Sequence, residues 1–135
     1  MIRRNEMHVV RLRDVVRRNP SPVGPDETVQ EGAESMARDG MPAIPVTENG
    51  KVIGILTDRD VSKKVVAMRL DPTTTLVASI MNSDPVRICD DRDIDSAILV
   101  MRARGVQELL VQDFSGSYLG IVCNCDLCNC QWETE

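Results

Sequence analysis

Residues 40–61 read GMPAIPVTENGKVIGILTDRDV, and residues 105–127 read GVQELLVQDFSGSYLGIVCNCDL. Both lines carry the same punctuation: a glycine that stops a helix, a short apolar strand, a turn, a second apolar strand with a glycine inside it, and a polar helix start. Pro20, Asp26, Met36, Gly40 and Val46 fall on Pro85, Asp91, Met101, Gly105 and Val111, each pair 65 positions apart, as from Pro20 to Pro85. After one extra residue near Phe114 to Ser117, Gly54, Ile55 and Asp60 fall on Gly120, Ile121 and Asp126 at a spacing of 66. The stretch 12–61 is therefore written a second time over 77–127. A duplicated supersecondary unit predicts two pseudo-symmetric halves sharing one core, with any site arriving as a related pair.

Within each half the order is short helix, extended segment, helix, strand, turn, strand, helix. LRDVVRRN, residues 12–19, reads as a helix up to Pro20, because the residue before a proline is pushed out of the helical region. SPVGPD follows as an extended segment or turn. Thr28 and Glu31 have capping-box spacing, and Val29, Ala33, Met36 and Ala37 recur on one helical face until Gly40. MPAIPV is a proline-marked strand whose prolines are expected at a sheet edge. Glu48-Asn49-Gly50 is a hairpin turn, KVIGILT a second strand, and 58–70 a helix. Repeat 2 offers Asp93 as a cap, Ile94, Ile98 and Met101 as the apolar face, and ELLVQD and SYLGIVC as strands. Its last helix is cut short at CDLCNCQWETE. The expected division is an extension over 1–11, repeat 1 over 12–70, a linker over 71–76 and repeat 2 over 77–135.

Composition narrows the partner classes. The 135 residues carry a formal charge of −5 and 2% aromatics, the reverse of the basic, stacking surface that binds nucleic acid. Arg3, Arg4, Arg11, Arg13, Arg17 and Arg18 make the start locally basic, which reads as a solvated helix face. No apolar run approaches the ~18 residues of a membrane span, and MIRRNEMHVV lacks a leader pattern, so the expected location is the cytoplasm. In that compartment the five cysteines are expected as thiols or metal ligands rather than disulfides. No nucleophile elbow, P-loop or metalloprotease helix is present, and no residue stands out as catalytic.

GILTDRD places a threonine at the end of a buried strand and an aspartate three residues later, at the mouth of the next helix. A helix start attracts phosphate, and a carboxylate beside it can accept hydrogen bonds from two ribose hydroxyls. The same spacing also makes an ordinary helix cap that needs no ligand.

At these residues the chain resembles the cystathionine-β-synthase (CBS) domain pair, or Bateman module. The resemblance rests on NPSPVGPDETV (19–29) and GMPAIPVTENGKVIGILTDRDV, and on their shadows SDPVRICDDRDI (83–94) and GVQELLVQDFSGSYLGIVCNCDL. It implies an α+β fold of two β-α-β-β-α repeats with packed sheets. It further implies two clefts for AMP, ADP, ATP or another adenosyl ligand, and a regulatory, energy-sensing role without catalysis or a required cofactor. Carried onto this sequence, it puts the ribose on Asp60, the ribose or a phosphate on Thr57, and phosphate near Arg59 beside Asp58. The adenine slot falls to Ser21, Pro22, Val23, Ile44 and Pro45, where Val23 and Ile44 serve equally well as sheet core. In repeat 2, Cys123, Asn124 and Cys125 replace Thr57, Asp58 and Arg59, while Asp126 keeps a ribose contact. One competent site on repeat 1 and one weak or repurposed site are expected.

Cys123, Cys125, Cys128 and Cys130 form C-x-C-x2-C-x-C and supply the alternative reading, a metal- or thiol-redox-responsive switch with zinc or iron at the cluster. A persisting helix opposes one tetrahedral site, since Cys125 and Cys128 share a face and Cys130 is turned away. Cys89, on an extended segment, reads as core. The expected partners are an adenine nucleotide, a second copy of the chain in a helix-mediated homodimer, and an unidentified regulated protein.

Overall fold

A computed structural model describes residues 10–16 and 20–130, leaving out the side chains of 128–130. In repeat 1, Thr28 caps α1 (Val29–Asp39) through the expected reciprocal box with Glu31, and Gly40 ends it in the left-handed conformation at φ 65°. β1 (Ala43–Glu48) pairs antiparallel with β2 (Lys51–Thr57). Their turn needs positive φ at both central residues, and Asn49 and Gly50 supply 53° and 79°. α2 (Asp58–Val61) follows and widens into a π turn over Ser62–Val66, where the Ala67 N–H donates to the Ser62 carbonyl at 2.9 Å. Repeat 2 builds β3 (Arg87–Cys89), α3 (Ile94–Arg104), β4 (Glu108–Gln112), β5 (Tyr118–Cys123) and α4 (Asn124–Cys130). Asp93 caps α3, and Gly105 ends it at φ 67°.

Over the described residues, the first segment of each repeat departs from its pattern. Residues 12–19 were expected as a helix, but the described part holds a single 3-10 turn, Leu12–Asp14, mirrored by Val77–Ser79. These turns change places. The Val77 N–H donates to the Glu27 carbonyl at 2.9 Å, and the Leu12 N–H donates to the Arg92 carbonyl at 2.9 Å, so the turn of each repeat docks on the other. The compact units accordingly run 19–85 in one case and 1–18 with 86–135 in the other. Leu12, fully enclosed, joins the core of the second unit with Ile88, Ile94, Ala97, Met101, Leu109, Val111, Val122 and Leu127. Arg13 lies 3.9 Å from Asp90, which turns part of the basic start toward the acidic loop of repeat 2, in the same compact unit.

Two details show how each half is packed to its own volumes. A Cβ on Gly32 in α1 would lie 2.6 Å from the Leu56 side chain, which is fully buried. Repeat 2 holds Ala97 and the smaller Val122 at the same two places, so a methyl gained on the helix is matched by one lost from the strand. The second detail is proline. β3 makes a parallel ladder on β4, flanked by the Leu110 N–H to the Val86 carbonyl and the Asp90 N–H to the Gln112 carbonyl, both at 2.9 Å. Repeat 1 has Pro45 and Pro25 where those two donors stand, and neither has an N–H to give. Only the Val23–Val46 bridge remains. Pro45 stands on an edge strand, as expected, because β1 and β2 form a two-stranded sheet, and its missing donor leaves the open side of β1 with this isolated bridge.

Candidate functional site

Every repeat-1 candidate belongs to the unit 19–85. Thr57 ends β2 with 4% of its surface exposed. Its hydroxyl accepts the Asp60 N–H at 3.0 Å, and its own N–H donates to Asp60 Oδ2 at 3.2 Å. The carboxylate is held again at Oδ1 by Lys64 Nζ at 3.2 Å, and that ammonium also donates to the Ile80 carbonyl at 3.0 Å. Asp58 is exposed and its N–H donates to the Pro42 carbonyl at 2.9 Å; Arg59 is half-buried one residue on. The threonine and aspartate thus do form the cap that the spacing allows. Capping leaves chemistry unused, since a hydroxyl that accepts one bond still has a proton to donate and each carboxylate oxygen has more than one lone pair.

The extended segment faces different constraints. Ser21 is half-buried and Pro22 exposed, whereas Val23 and Ile44 are 3% and 0% exposed and Pro45 is buried. Val23 is bonded on both sides, its N–H to the Pro45 carbonyl at 3.1 Å and its carbonyl from the Thr47 N–H at 2.9 Å. Ser21 has lost its ladder bond to Pro45 and is tethered instead by Asp39, whose Oδ2 accepts the Ser21 N–H at 3.1 Å. Hydrogen bonds from the Ser21 side chain and backbone hold the Asp39 carboxyl below the usual carboxylate range, so it is ionised and the tether is made at neutral pH. Asp39 and Lys64 are the residues the sequence reading missed. Lys64 is four positions after Asp60, an i,i+4 ion-pair signal that was there to be read. Asp39 gives no local sign, since its partner lies 18 positions back.

The counterpart in repeat 2 is looser. The Cys123 N–H reaches Asp126 Oδ2 at 3.4 Å, and Cys123 is 2% exposed. Position 104 carries Arg where repeat 1 has Asp39, and position 86 carries Val where it has Ser21, so the tether has no equivalent. Cys125 is exposed and Cys89 half-buried. Residues 124–130 keep their helix, but the thiols of Cys128 and Cys130 lie outside the described side chains. Among the described residues no group of three or more His, Cys, Asp or Glu is placed to hold a metal. No helix among them is long and apolar enough to cross a membrane.

Comparison with known proteins follows the same duplication. The family model of the CBS domain matches residues 12–67 and again 77–132. An uncharacterised protein of Methanopyrus kandleri is 31% identical over 117 residues, 86% of this chain and 60% of that one, so the chain spans less than two thirds of that relative. Among solved structures, the CBS domain pair of protein MJ0100, in complex with 5′-methylthioadenosine and S-adenosyl-L-methionine, superposes with a TM-score of 0.83 at 19% identity, covering 94% of this chain and 99% of that one. Hypoxic Response Protein I, solved with two coordinated zinc ions, gives a TM-score of 0.73 at 26% identity over 89% of this chain and 98% of its own.

Proposed function

Because the chain belongs to the CBS-domain family, we propose that it is a regulatory module that binds an adenine nucleotide or related adenosyl ligand on repeat 1 and reports occupancy to a partner protein, without catalysis of its own. The observation that carries this reading is the Thr57–Asp60 pair, fixed by mutual bonds of 3.0 and 3.2 Å yet with acceptor and donor capacity left over. Asp60 accepts the ribose hydroxyls, Thr57 donates to a ribose or phosphate oxygen, and Arg59, beside Asp58, supplies charge to phosphate. The base lies along Ser21, Pro22 and Pro45, with Val23 and the enclosed Ile44 as the floor beneath. The weaker counterpart at Asp126 takes a ribose poorly or not at all.

A ligand transmits only through differential affinity for two arrangements. Lys64 provides the connection, because it holds Asp60 and the Ile80 carbonyl at once, and a ribose drawing on the same carboxylate changes its hold on the chain after Val77–Ser79. The exposed Val66, Met68 and Leu70, at 68%, 66% and 46%, support a second copy of the chain as a partner, to be checked by sedimentation with and without nucleotide. The zinc ions of one structural neighbour support the alternative, a metal- or thiol-responsive switch. Melting with AMP, ATP and S-adenosylmethionine, alongside elemental analysis of the purified protein, separates the readings. Stabilisation by an adenosyl compound supports the first; near-stoichiometric metal whose chelation unfolds the protein, with no response to any of the three, overturns it.

A further inference from the structure

A cavity of about 410 Å3 opens in repeat 2 beside the last turns of α3. Ile98, Met101 and Val106 form its apolar wall, and Arg102, Gln107 and Asn124 its polar rim. The volume lies within the ~300–1,000 Å3 of small-molecule sites, which pair apolar walls with a few placed polar groups. Neither Cys123 nor Asp126 lines it, nor does any residue of the proposed nucleotide site.

Charge defines what it can take. The lining holds one guanidinium and no carboxylate. Repeat 1 has the opposite pattern at the matching places, with Ala37 where Arg102 stands and Asp58 where Asn124 stands, so a carboxylate there repels what an arginine here attracts. Size differs at the wall as well: Met41, 5% exposed, occupies the position of the shorter, half-buried Val106. The Asn124 N–H is already spent on the Gln107 carbonyl at 2.8 Å, which leaves recognition to side chains.

We propose that this cavity is a second ligand site, for a small molecule that joins an apolar, ring-sized body to one anionic group. The apolar body packs on Ile98, Met101 and Val106, and the anion pairs with Arg102, a planar fork suited to carboxylate, sulfonate or phosphate.

Two fluorescent probes of similar shape test it on the full chain: 8-anilino-1-naphthalenesulfonate, an apolar anion, and N-phenyl-1-naphthylamine, its neutral relative. Val106→Met, which installs the residue of repeat 1, is expected to weaken both probes about tenfold. Arg102→Gln is expected to weaken the anion about tenfold and the neutral probe less than about twofold, a tenfold change being the usual scale for one charged contact. Binding that survives Val106→Met places the probes elsewhere and overturns the proposal. Equal losses of both probes in Arg102→Gln overturn the anionic assignment. Anion affinity that rises on dilution, in step with dissociation of a dimer, shows that a second copy fills the groove and overturns the site itself.

Discussion

The two repeats differ most where one has prolines and the other has donors. Repeat 2 closes its first strand onto β4 with the flanking bonds from Leu110 and Asp90, each 2.9 Å long. In repeat 1, Pro45 and Pro25 delete both, and the segment keeps its two bonds at Val23 while Ser21 is tethered by the Asp39 carboxylate. The helix starts differ in the same sense. Thr57 and Asp60 exchange bonds of 3.0 and 3.2 Å, whereas Cys123 reaches Asp126 at 3.4 Å. Repeat 1 has traded ladder for side-chain chemistry, and repeat 2 has traded side-chain chemistry for ladder. Duplicated frameworks diverge in function this way when backbone bonds that any sequence could make are replaced by contacts only certain residues can make.

The largest effect expected from this comparison is on ligand-linked stability. An adenosyl ligand at ~100 times its dissociation constant adds about 2.7 kcal/mol to apparent stability. Asp60→Ala should remove most of that increment, and Asp126→Ala should leave it nearly intact, as read from the ligand-induced change in melting temperature of each variant. The increment is the right quantity, because Asp60→Ala also removes the carboxylate that accepts the Thr57 N–H and pairs with Lys64 in the free protein. Equal losses in the two variants would show that the repeats bind alike.

Next comes the packing difference between Gly32–Leu56 and Ala97–Val122. Gly32→Ala should destabilise by roughly 2 kcal/mol, within the 1–3 of overpacked cores, because its new methyl meets a buried Leu56. Adding Leu56→Val imports the pairing of repeat 2 and should restore most of the loss, a coupling that denaturant titration of the double-mutant cycle measures directly. Simple additivity of the two changes would mean that the repeats are not packed on this exchange.

What the sequence made legible was local. The boxes at Thr28–Glu31 and Thr57–Asp60, the Asn49-Gly50 turn and the left-handed glycines at 40 and 105 each depend on residues within a few positions of one another, and all were expected from spacing alone. The exchange of the turns at Leu12 and Val77 was not, because Leu12 bonds Arg92 across 80 positions and periodicity carries no such information. Over the described residues 12–16, the expected helix is replaced for the same reason by a single turn bonded to the other repeat. The edge position of Pro45 follows from its missing donor, whereas the consequence for Ser21 appears only when Pro45 is set against Leu110. Ser21, Thr57 and Asp60 come forward as a candidate site through resemblance. Asp39, which holds Ser21 in place, had no signature to find.

A smaller effect tests the helix starts without ligand. Thr57→Ala removes the acceptor for the Asp60 N–H and should cost about 1 kcal/mol, the usual value for a lost cap. The matching change in repeat 2, Cys123→Ala, removes a buried sulfur and should cost no more than this. Urea denaturation of the two variants ranks them, and a clearly larger cost for Cys123→Ala would mean that repeat 2 has the tighter start after all.

The smallest change in stability belongs to the residue that sets the comparison up. Pro45→Leu supplies the donor that Leu110 has in repeat 2, and its N–H can reach toward the Ser21 carbonyl as Leu110 reaches Val86. One such bond is worth about 1 kcal/mol, while giving up a proline loosens the unfolded chain by about 0.4–1 kcal/mol, so the two nearly cancel. Melting temperature is therefore a poor readout, and amide exchange is a good one. The new amide at position 45 should exchange slowly, and the amides of residues 21–23 should slow with it, because a bridge has become a ladder. Ligand affinity should fall at the same time, since a segment fixed to the sheet cannot adjust to a base as one tethered by Asp39 can. If the new amide exchanges as freely as an open loop, proline is not what thins the first strand of repeat 1, and the difference between the repeats must be sought in the Asp39 tether instead.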